Sequence, residues 1–235
     1  MTLKDQEMKI GIFGDSFAIL KLNPTPTWVN ILSEKYDISN HALSGSNLYY
    51  SINEIKKHHE KYDKIILVVT EPGRLKIASW VPLGLSQQFI VGLLDQKYTH
   101  RKSLSKYEQM VWEASNQYFT CLQDDEYDMY IHNLMLNDMK KFRPDIILIP
   151  AFQNSWYNIQ GISMLYICHK ENTAWNLDST TVVTEYQDNR NCHITAENNS
   201  IFADKADKWI NGEPVHINLD DFVTTTNKDF YLTKI

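Results

Sequence analysis

Short apolar runs alternate with amphipathic segments over the first 70 residues. Residues 8–13 (MKIGIF) and 64–69 (KIILVV) are apolar runs that stop at turn residues, a pattern typical of buried strands. Residues 36–43 form a second, less apolar strand candidate. Between these runs, residues 28–33 and 49–62 are predicted to be helical. This order of strands and helices predicts a parallel sheet with helices on its faces.

The rest of the chain contains one more clear strand, at 145–150 (DIILIP). Apolar residues at helical spacing predict helices over 104–122 and 127–142, and a late helix that Thr195 caps and that runs to about Ile210. Residues 160–168 are apolar and fit either a helix or a strand.

The length of 235 residues suits one large domain. We predict that this domain covers 1–211, with a helical insertion around 74–143. Residues 212–235 are rich in Thr and Asp and are predicted to form an extended tail that wraps the domain or meets a partner.

Composition narrows the possible classes of protein. Hydrophobic residues make up 43% of the chain, which argues against disorder. The net charge is -6 and no basic cluster is present, so we expect no nucleic-acid partner. No stretch approaches the roughly 20 apolar residues of a membrane span, and we see no signal peptide. The three cysteines include no CxxC pair, which favours a reducing, cytoplasmic compartment.

Candidate chemistry lies after the predicted strands, because open parallel sheets bind ligands beyond the carboxyl ends of their strands. Asp15 and Ser16 follow the first strand. Residues 44–47, 70–74 and 152–154 follow the next three, and His193 precedes the last helix. These residues are therefore expected around one crevice.

This set of residues suits acyl transfer. A serine hydroxyl is a weak nucleophile that needs a base within hydrogen-bond reach and donors for the oxyanion. Ser16 can attack and His193 can take its proton. The backbone N–H groups of Ser16 and Gly45 can face the oxyanion, because glycine lets the backbone approach closely.

Three blocks of the chain resemble the SGNH/GDSL hydrolases. They are Phe13-Gly14-Asp15-Ser16-Phe17, then Ala42-Leu43-Ser44-Gly45-Ser46, whose glycine is an oxyanion donor in the family, and Cys192-His193-Ile194-Thr195, whose histidine is the family's general base. The resemblance covers most of the chain in the right order. It implies a three-layer α/β/α sandwich with a mostly parallel, flavodoxin-like sheet (the SGNH hydrolase fold) and esterase, lipase or deacetylase activity. No cofactor is expected.

The third block of the family, Gly-x-Asn-Asp, is replaced here. Its asparagine completes the oxyanion hole in the family, whereas the equivalent residues in this chain are Thr70-Glu71-Pro72-Gly73-Arg74. Either Glu71 turns away and pairs with Arg74, or another donor such as Asn154 substitutes. A structural ion pair between Glu71 and Arg74 is favoured over a role for Arg74 in holding an anionic substrate group.

The last block also departs from the family. The position three residues before the histidine, an aspartate in the family, is Arg190 here. Asp188, five residues before His193, is the candidate to orient the base, and a serine–histidine dyad is the alternative.

Simpler structural roles compete with these assignments. Gly-Asp-Ser is ordinary turn chemistry, and Gly45 is as readily explained as a turn residue as by an oxyanion role. The Cys168-His169 and Cys192-His193 pairs are adjacent, which suits a tetrahedral zinc site poorly, so no metal is predicted. His58 and His59 are expected to be solvated.

The sequence thus favours a serine esterase or O-deacetylase acting on a small-molecule or carbohydrate ester. The alternative is a catalytically impaired binding or structural protein that resembles the SGNH-like proteins of phage and bacterial genomes, with a virion-associated location. The sequence carries no indication of the oligomeric state.

Overall fold

The computed structural model describes residues 8–20, 26–76, 84–85, 117–152 and 194–223, together with positions 106, 110, 113, 114, 164 and 167. Four strands form one parallel sheet in the order β2-β1-β3-β6, and two very short strands form a separate antiparallel pair. The strands are β1 Lys9–Phe13, β2 Asp37–Asn40, β3 Lys64–Val69, β4 Leu75–Lys76, β5 Gly84–Leu85 and β6 Ile147–Pro150.

The second strand is shorter than the predicted range 36–43. The side chain of Asn40 accepts the backbone N–H of Ala42 at 3.0 Å, while the N–H groups of His41 and Leu43 still donate to the carbonyls of Ile12 and Gly14. Tyr36 precedes the strand and is buried in the core. The predicted range of β3, by contrast, matches the observed strand.

Four helices carry a side-chain cap at the N-terminus, from Thr27, Asn47, Asp124 and Thr195 in chain order. Such caps satisfy backbone N–H groups that have no partner within the helix, and they set where each helix begins. The helices are α1 Trp28–Ser33, α2 Leu48–His58, α3 Asp125–Phe142 and α4 Ala196–Ile210. A 3-10 turn over His59–Lys61 takes up the end of the helix predicted over 49–62.

The two faces of the sheet are packed by different helices. Ile66 and Val68 of β3 join a core cluster with α1 and α4, while Ile65, Leu67 and Val69 join another with α2 and α3. This alternation follows from the two-residue period of a strand. The described chain is therefore an α/β protein with helices against an all-parallel four-stranded sheet.

The region around 74–143, predicted as a helical insertion, also contains the β4–β5 pair. A π-helical turn lies at Tyr118–Leu122, where the predicted helix 104–122 ends. Leu136 and Met139 of α3 are buried in the core beside β3. Although α3 lies within the range of the predicted insertion, it packs as an integral part of the fold.

Two further details complete the core. Met164 and Ile167 are helical and buried, which favours the helical interpretation of 160–168. In the described part of the tail, Ile217 and Phe222 pack into the same core as α1 and α4. Among the described residues, we find no helix with the length and apolar character needed to cross a membrane.

Candidate functional site

Three of the predicted site residues, Ser16, Glu71 and Arg74, flank the point where the strand order reverses. The chain leaves β1 for β2 on one side and then returns to β3 on the other, so the carboxyl ends of β1 and β3 border the switch point. Such points form the ligand-binding crevices of open α/β sheets. Ser16 follows β1, and Glu71 and Arg74 follow β3. The fold thus brings these three residues to the same edge of the sheet.

Gly14, directly after β1, packs tightly against Val68 of β3. Its φ is +145°, and a Cβ added there would lie 2.7 Å from the Cβ and 2.8 Å from the carbonyl oxygen of Val68. The carbonyl of Gly14 accepts hydrogen bonds from the Leu43 N–H and the Ser46 hydroxyl, both at 3.0 Å. Any side chain at position 14 would therefore push the strands apart.

Ser16 begins a 3-10 turn that is fixed by its neighbours. Asp15 caps the turn: its Oδ1 accepts the backbone N–H of Phe17 at 3.1 Å, and its carbonyl accepts that of Ala18. The amide of Asn40, at the end of β2, donates to the Ala18 carbonyl at 2.6 Å. Asp15 is fully buried, whereas Ser16 is half-buried. The turn therefore presents Ser16 at the carboxyl edge of the sheet.

Arg74 forms two ion pairs at this edge. Its Nε donates to Oε1 of Glu71 at 2.8 Å. Its Nη1 lies 3.2 Å from Oδ2 of Asp15, an ion-pair contact without hydrogen-bond alignment. The predicted pairing of Glu71 with Arg74 is confirmed, and the carboxylate of Glu71 is held by that pairing.

The same guanidinium also reaches the other two strand ends. Nη1 of Arg74 donates to the carbonyl of Ser46, after β2, at 3.2 Å. The guanidinium carbon lies 5.2 Å from the ring centroid of Phe152, after β6. Through Arg74, residues that follow all four strands of the sheet are linked.

This pairing limits the role that Arg74 can have towards a ligand. Its side chain is only 12% exposed, and two carboxylates already compensate its single charge. Removing either partner would leave a charge in a largely desolvated place. The arrangement supports a structural role for Arg74 and counts against its holding an anionic substrate group.

Gly45 forms the turn that follows β2. Its φ is +72°, a conformation that favours glycine, and the Ser46 N–H donates to the Leu43 carbonyl across the turn at 3.0 Å. Gly45 therefore acts as a turn residue, as one of the two interpretations of the sequence expected. Within the described part of the chain, its own N–H donates to no backbone carbonyl, so the turn leaves that donor available.

Two residues that the sequence analysis did not select connect the Ser16 turn to the last helix. The indole Nε1 of Trp28 donates to the Phe17 carbonyl at 2.8 Å, and the Trp28 backbone N–H donates to Oδ1 of Asn199 at 2.8 Å. Nδ2 of Asn199 in turn donates to the Ile194 carbonyl at 2.9 Å. Two adjacent asparagines, Asn198 and Asn199, interrupt the apolar face of α4, and this interruption was the signal in the sequence.

The remaining predicted site residues, Asp188, His193 and Asn154, lie outside the described residues. Ile194, the residue after His193, is described and buried in the same core cluster as Phe17. The hydrogen-bonded chain through Trp28 and Asn199 therefore joins the immediate neighbours of the two residues predicted to act as nucleophile and base.

No model of a known protein family matches the chain, and no curated protein is significantly similar to it. What the chain does must therefore be inferred from its own residues and their geometry.

Proposed function

We propose that this chain is a serine hydrolase of the SGNH/GDSL kind, an esterase or O-deacetylase with Ser16 as nucleophile and His193 as general base. The observation that carries the proposal is the position of the Ser16 turn at the β1–β3 switch point. Hydrogen bonds through Trp28 and Asn199 tie that turn to Ile194, next to His193.

The sheet supports the same assignment. Numbered in chain order within the parallel sheet, the strands run 2-1-3-4, as in flavodoxin-like folds, with helices packed on both faces. An α/β/α sandwich of this topology is what the resemblance to SGNH hydrolases implies. In such a fold the residue after β1 lies in the crevice, where a nucleophile is required.

The proposed reaction has two steps. The Ser16 hydroxyl oxygen attacks the ester carbonyl while His193 takes its proton, and the backbone N–H groups of Ser16 and Gly45 stabilise the resulting oxyanion. The ester C–O bond then breaks, His193 returns the proton to the leaving alcohol, and an acyl-serine remains. Water hydrolyses the acyl group by the same route in reverse.

Two further residues would complete the machinery. Asp188 would orient the imidazole of His193, and without it a dyad would act with lower efficiency. Since Glu71 is held by Arg74, the third oxyanion donor must come from elsewhere, and Asn154 after β6 is the candidate.

The net charge of the side chains at the carboxyl edge of the sheet favours a neutral substrate. Asp15 and Glu71 carry two negative charges against the single positive charge of Arg74, so the described part of the crevice attracts no anion. The ester of a small neutral molecule or of a carbohydrate meets this requirement. The resemblance implies no cofactor for this chemistry.

A hydrolysis assay on p-nitrophenyl acetate tests the proposal. Ser16→Ala and His193→Ala should each lower kcat by at least about 1,000-fold, because nucleophile and base act as one unit. Ser200→Ala, which alters an exposed serine on α4, serves as the matched control and should keep wild-type activity. Labelling of Ser16 by a fluorophosphonate, read by mass spectrometry, tests the nucleophile without a chosen substrate.

One observation favours a second candidate, a catalytically impaired binding or structural protein. The end of β3 is filled by the Glu71–Arg74–Asp15 cluster, where the family places an oxyanion amide. If the folded wild-type protein neither hydrolyses short-chain esters nor is labelled by a fluorophosphonate, the enzyme proposal fails and this second function stands.

A further inference from the structure

Three metal-ligating side chains converge on the α2 side of the sheet, in a cluster distinct from the Ser16 turn. Glu54 and His58 lie four residues apart on α2, and His41 follows β2. One ligand atom from each of the three lies within 4.8 Å of the others, and all three residues are half-buried. His58 is therefore partly sequestered beside His41, and the expectation that it is solvated is wrong for this residue.

We propose that His41, Glu54 and His58 bind one divalent transition-metal ion of the zinc class. Two imidazoles and one carboxylate are a ligand set that proteins use for zinc, with a water in the fourth position. Residues four apart on a helix face the same side, so Glu54 and His58 form a chelating pair. His41 supplies the third ligand from a different element.

The atoms around the cluster already orient the ligands. The Tyr62 hydroxyl lies 2.6 Å from Nε2 of His41, and Lys57 donates to Oε1 of Glu54 at 2.6 Å. These contacts leave Oε2 of Glu54 to face Nε2 of His58, at 3.6 Å. Metal ligands in proteins are commonly fixed by such outer hydrogen bonds, which set the orientation of the ring or carboxylate.

The ring of His41 is held in place by its neighbours. It stacks on the ring of Phe13, with centroids 4.8 Å apart. It also meets the ring of Tyr62 edge-on, with centroids 5.8 Å apart. These contacts hold the His41 ring beside Glu54 and His58.

Binding requires one local rearrangement. The rings of His41 and His58 are nearly parallel, with an interplanar angle of 18° and centroids 4.9 Å apart, whereas a metal lies in the plane of each ligating ring. The His58 ring must therefore turn, and the ligand atoms must close to roughly 3.3 Å of one another for a tetrahedral site. His58 is the last residue of α2 and its side chain is 28% exposed, so this movement is local.

The positive charge of Lys61 disfavours a bound cation, and replacing this residue gives a diagnostic variant. Its Nζ lies 3.2 Å from Nδ1 of His58, where it competes for the ring and adds a positive charge. Coordination through Nε2 of His58 places the ring proton on Nδ1, so Lys61 must release the ring. Removing that amine should therefore strengthen metal binding, an effect that a surface histidine elsewhere would not show.

Calorimetric titration of the metal-free full-length protein with Zn²⁺ tests the site, supported by the visible absorption of four-coordinate Co²⁺. We expect one ion per chain at this site. His58→Ala and Glu54→Gln should each weaken binding by at least about 10-fold, and Lys61→Gln should tighten it. His59→Ala, at the adjacent histidine, and His216→Ala, at an exposed one, are the matched controls and should bind as the wild type does.

Circular dichroism of each variant verifies its fold, and Glu54→Gln keeps the test valid if a histidine variant unfolds. Unchanged affinity in both His58→Ala and Glu54→Gln, or no binding by the wild type, would overturn the proposal. So would a loss of binding confined to His59→Ala or His216→Ala, which would indicate an adventitious surface ion.

Discussion

The side-chain oxygen of Asn199 accepts the backbone N–H of Trp28 at 2.8 Å, and this bond joins helices whose residues lie 171 positions apart in the sequence. The N–H of Trp28 is in the first turn of α1, where it has no acceptor within the helix. The amide of Asn199 also donates to the Ile194 and Thr195 carbonyls, at 2.9 Å each. One buried amide thus holds α1, the start of α4 and the segment next to His193 together.

Replacing Asn199 by Ala should destabilise this junction. The change leaves the buried Trp28 N–H and the Ile194 carbonyl without the partner that Asn199 supplies, whereas the Thr195 carbonyl keeps the backbone N–H of residue 199. We therefore expect the free energy of unfolding to fall by about 2–4 kcal/mol. Urea denaturation measures this fall in the free energy of unfolding. Ser200→Ala is the control, because Ser200 is exposed and bonds only within its own helix as far as the described contacts show. Equal stability of the two variants would contradict the role assigned to Asn199.

Arg74→Gln should be strongly destabilising, because it leaves the fully buried carboxylate of Asp15 without its counter-charge. Breaking a buried ion pair by removing one partner costs about 3–5 kcal/mol, and chemical denaturation measures the loss. Lys56→Ala removes an exposed ion pair with Asp138 and should cost no more than about 1 kcal/mol.

The double variant Arg74→Gln/Asp15→Asn separates charge from packing. A neutral amide at position 15 needs no counter-charge, so part of the lost stability should return. The loss in the free energy of unfolding of the double variant is compared with the sum of the losses in the two single variants. If the double variant loses more than that sum, the ion pair with Asp15 is not what makes Arg74 necessary.

Gly14→Ala should lower the free energy of unfolding by more than about 3 kcal/mol, because it combines positive-φ strain with overlap against the β3 backbone at Val68. Gly212→Ala is a matched control: Gly212 has a φ of +78°, but its Cβ would meet nothing within 4 Å. That change should cost only about 1–2 kcal/mol, the backbone term alone. Thermal or urea unfolding gives the loss in unfolding free energy of each variant. Similar losses for Gly14→Ala and Gly212→Ala would contradict the tight packing of Gly14 against β3.

His132 should make stability dependent on pH below neutrality. Burial within α3 lowers the pKa of His132 from its ordinary value of 6.5 to about 4. Between these two values the unfolded chain binds a proton that the folded chain does not, so stability falls as the pH decreases, by up to about 1.4 kcal/mol per pH unit. Above pH 6.5 the group is neutral in both states and contributes no slope.

A comparison of His132→Gln with the wild type by urea unfolding between pH 4 and pH 8 isolates this contribution. The stability difference between the two proteins should be constant above pH 6.5 and should shift in favour of the variant as the pH falls. His216→Gln, at an exposed histidine, should run parallel to the wild type. Parallel curves for His132→Gln would mean that His132 binds its proton equally in the folded and unfolded states, and would contradict the lowered pKa.

Local patterns in the sequence predicted the elements that depend on neighbouring residues alone. Lys64–Val69 is an apolar, β-branched run between polar turns, and it forms the predicted strand. Residues 28–33, predicted to be part of a helix, form α1, and a capping box at Thr27 fixes where that helix begins. By contrast, β2 ends at Asn40, before the predicted residue 43, although backbone hydrogen bonds to Ile12 and Gly14 continue through Leu43.

The sequence by itself predicted the α/β class from the order of its strands and helices. It also predicted a turn at Gly14-Asp15-Ser16 and favoured the pairing of Glu71 with Arg74, because these depend on residues a few positions apart. Only the tertiary structure decided that Arg74 reaches Asp15 and that Asn199 joins Trp28. It alone also placed His41 beside His58. The order of strands determines which loops meet at the edge of the sheet, and that order depends on the packing of both faces rather than on any local pattern.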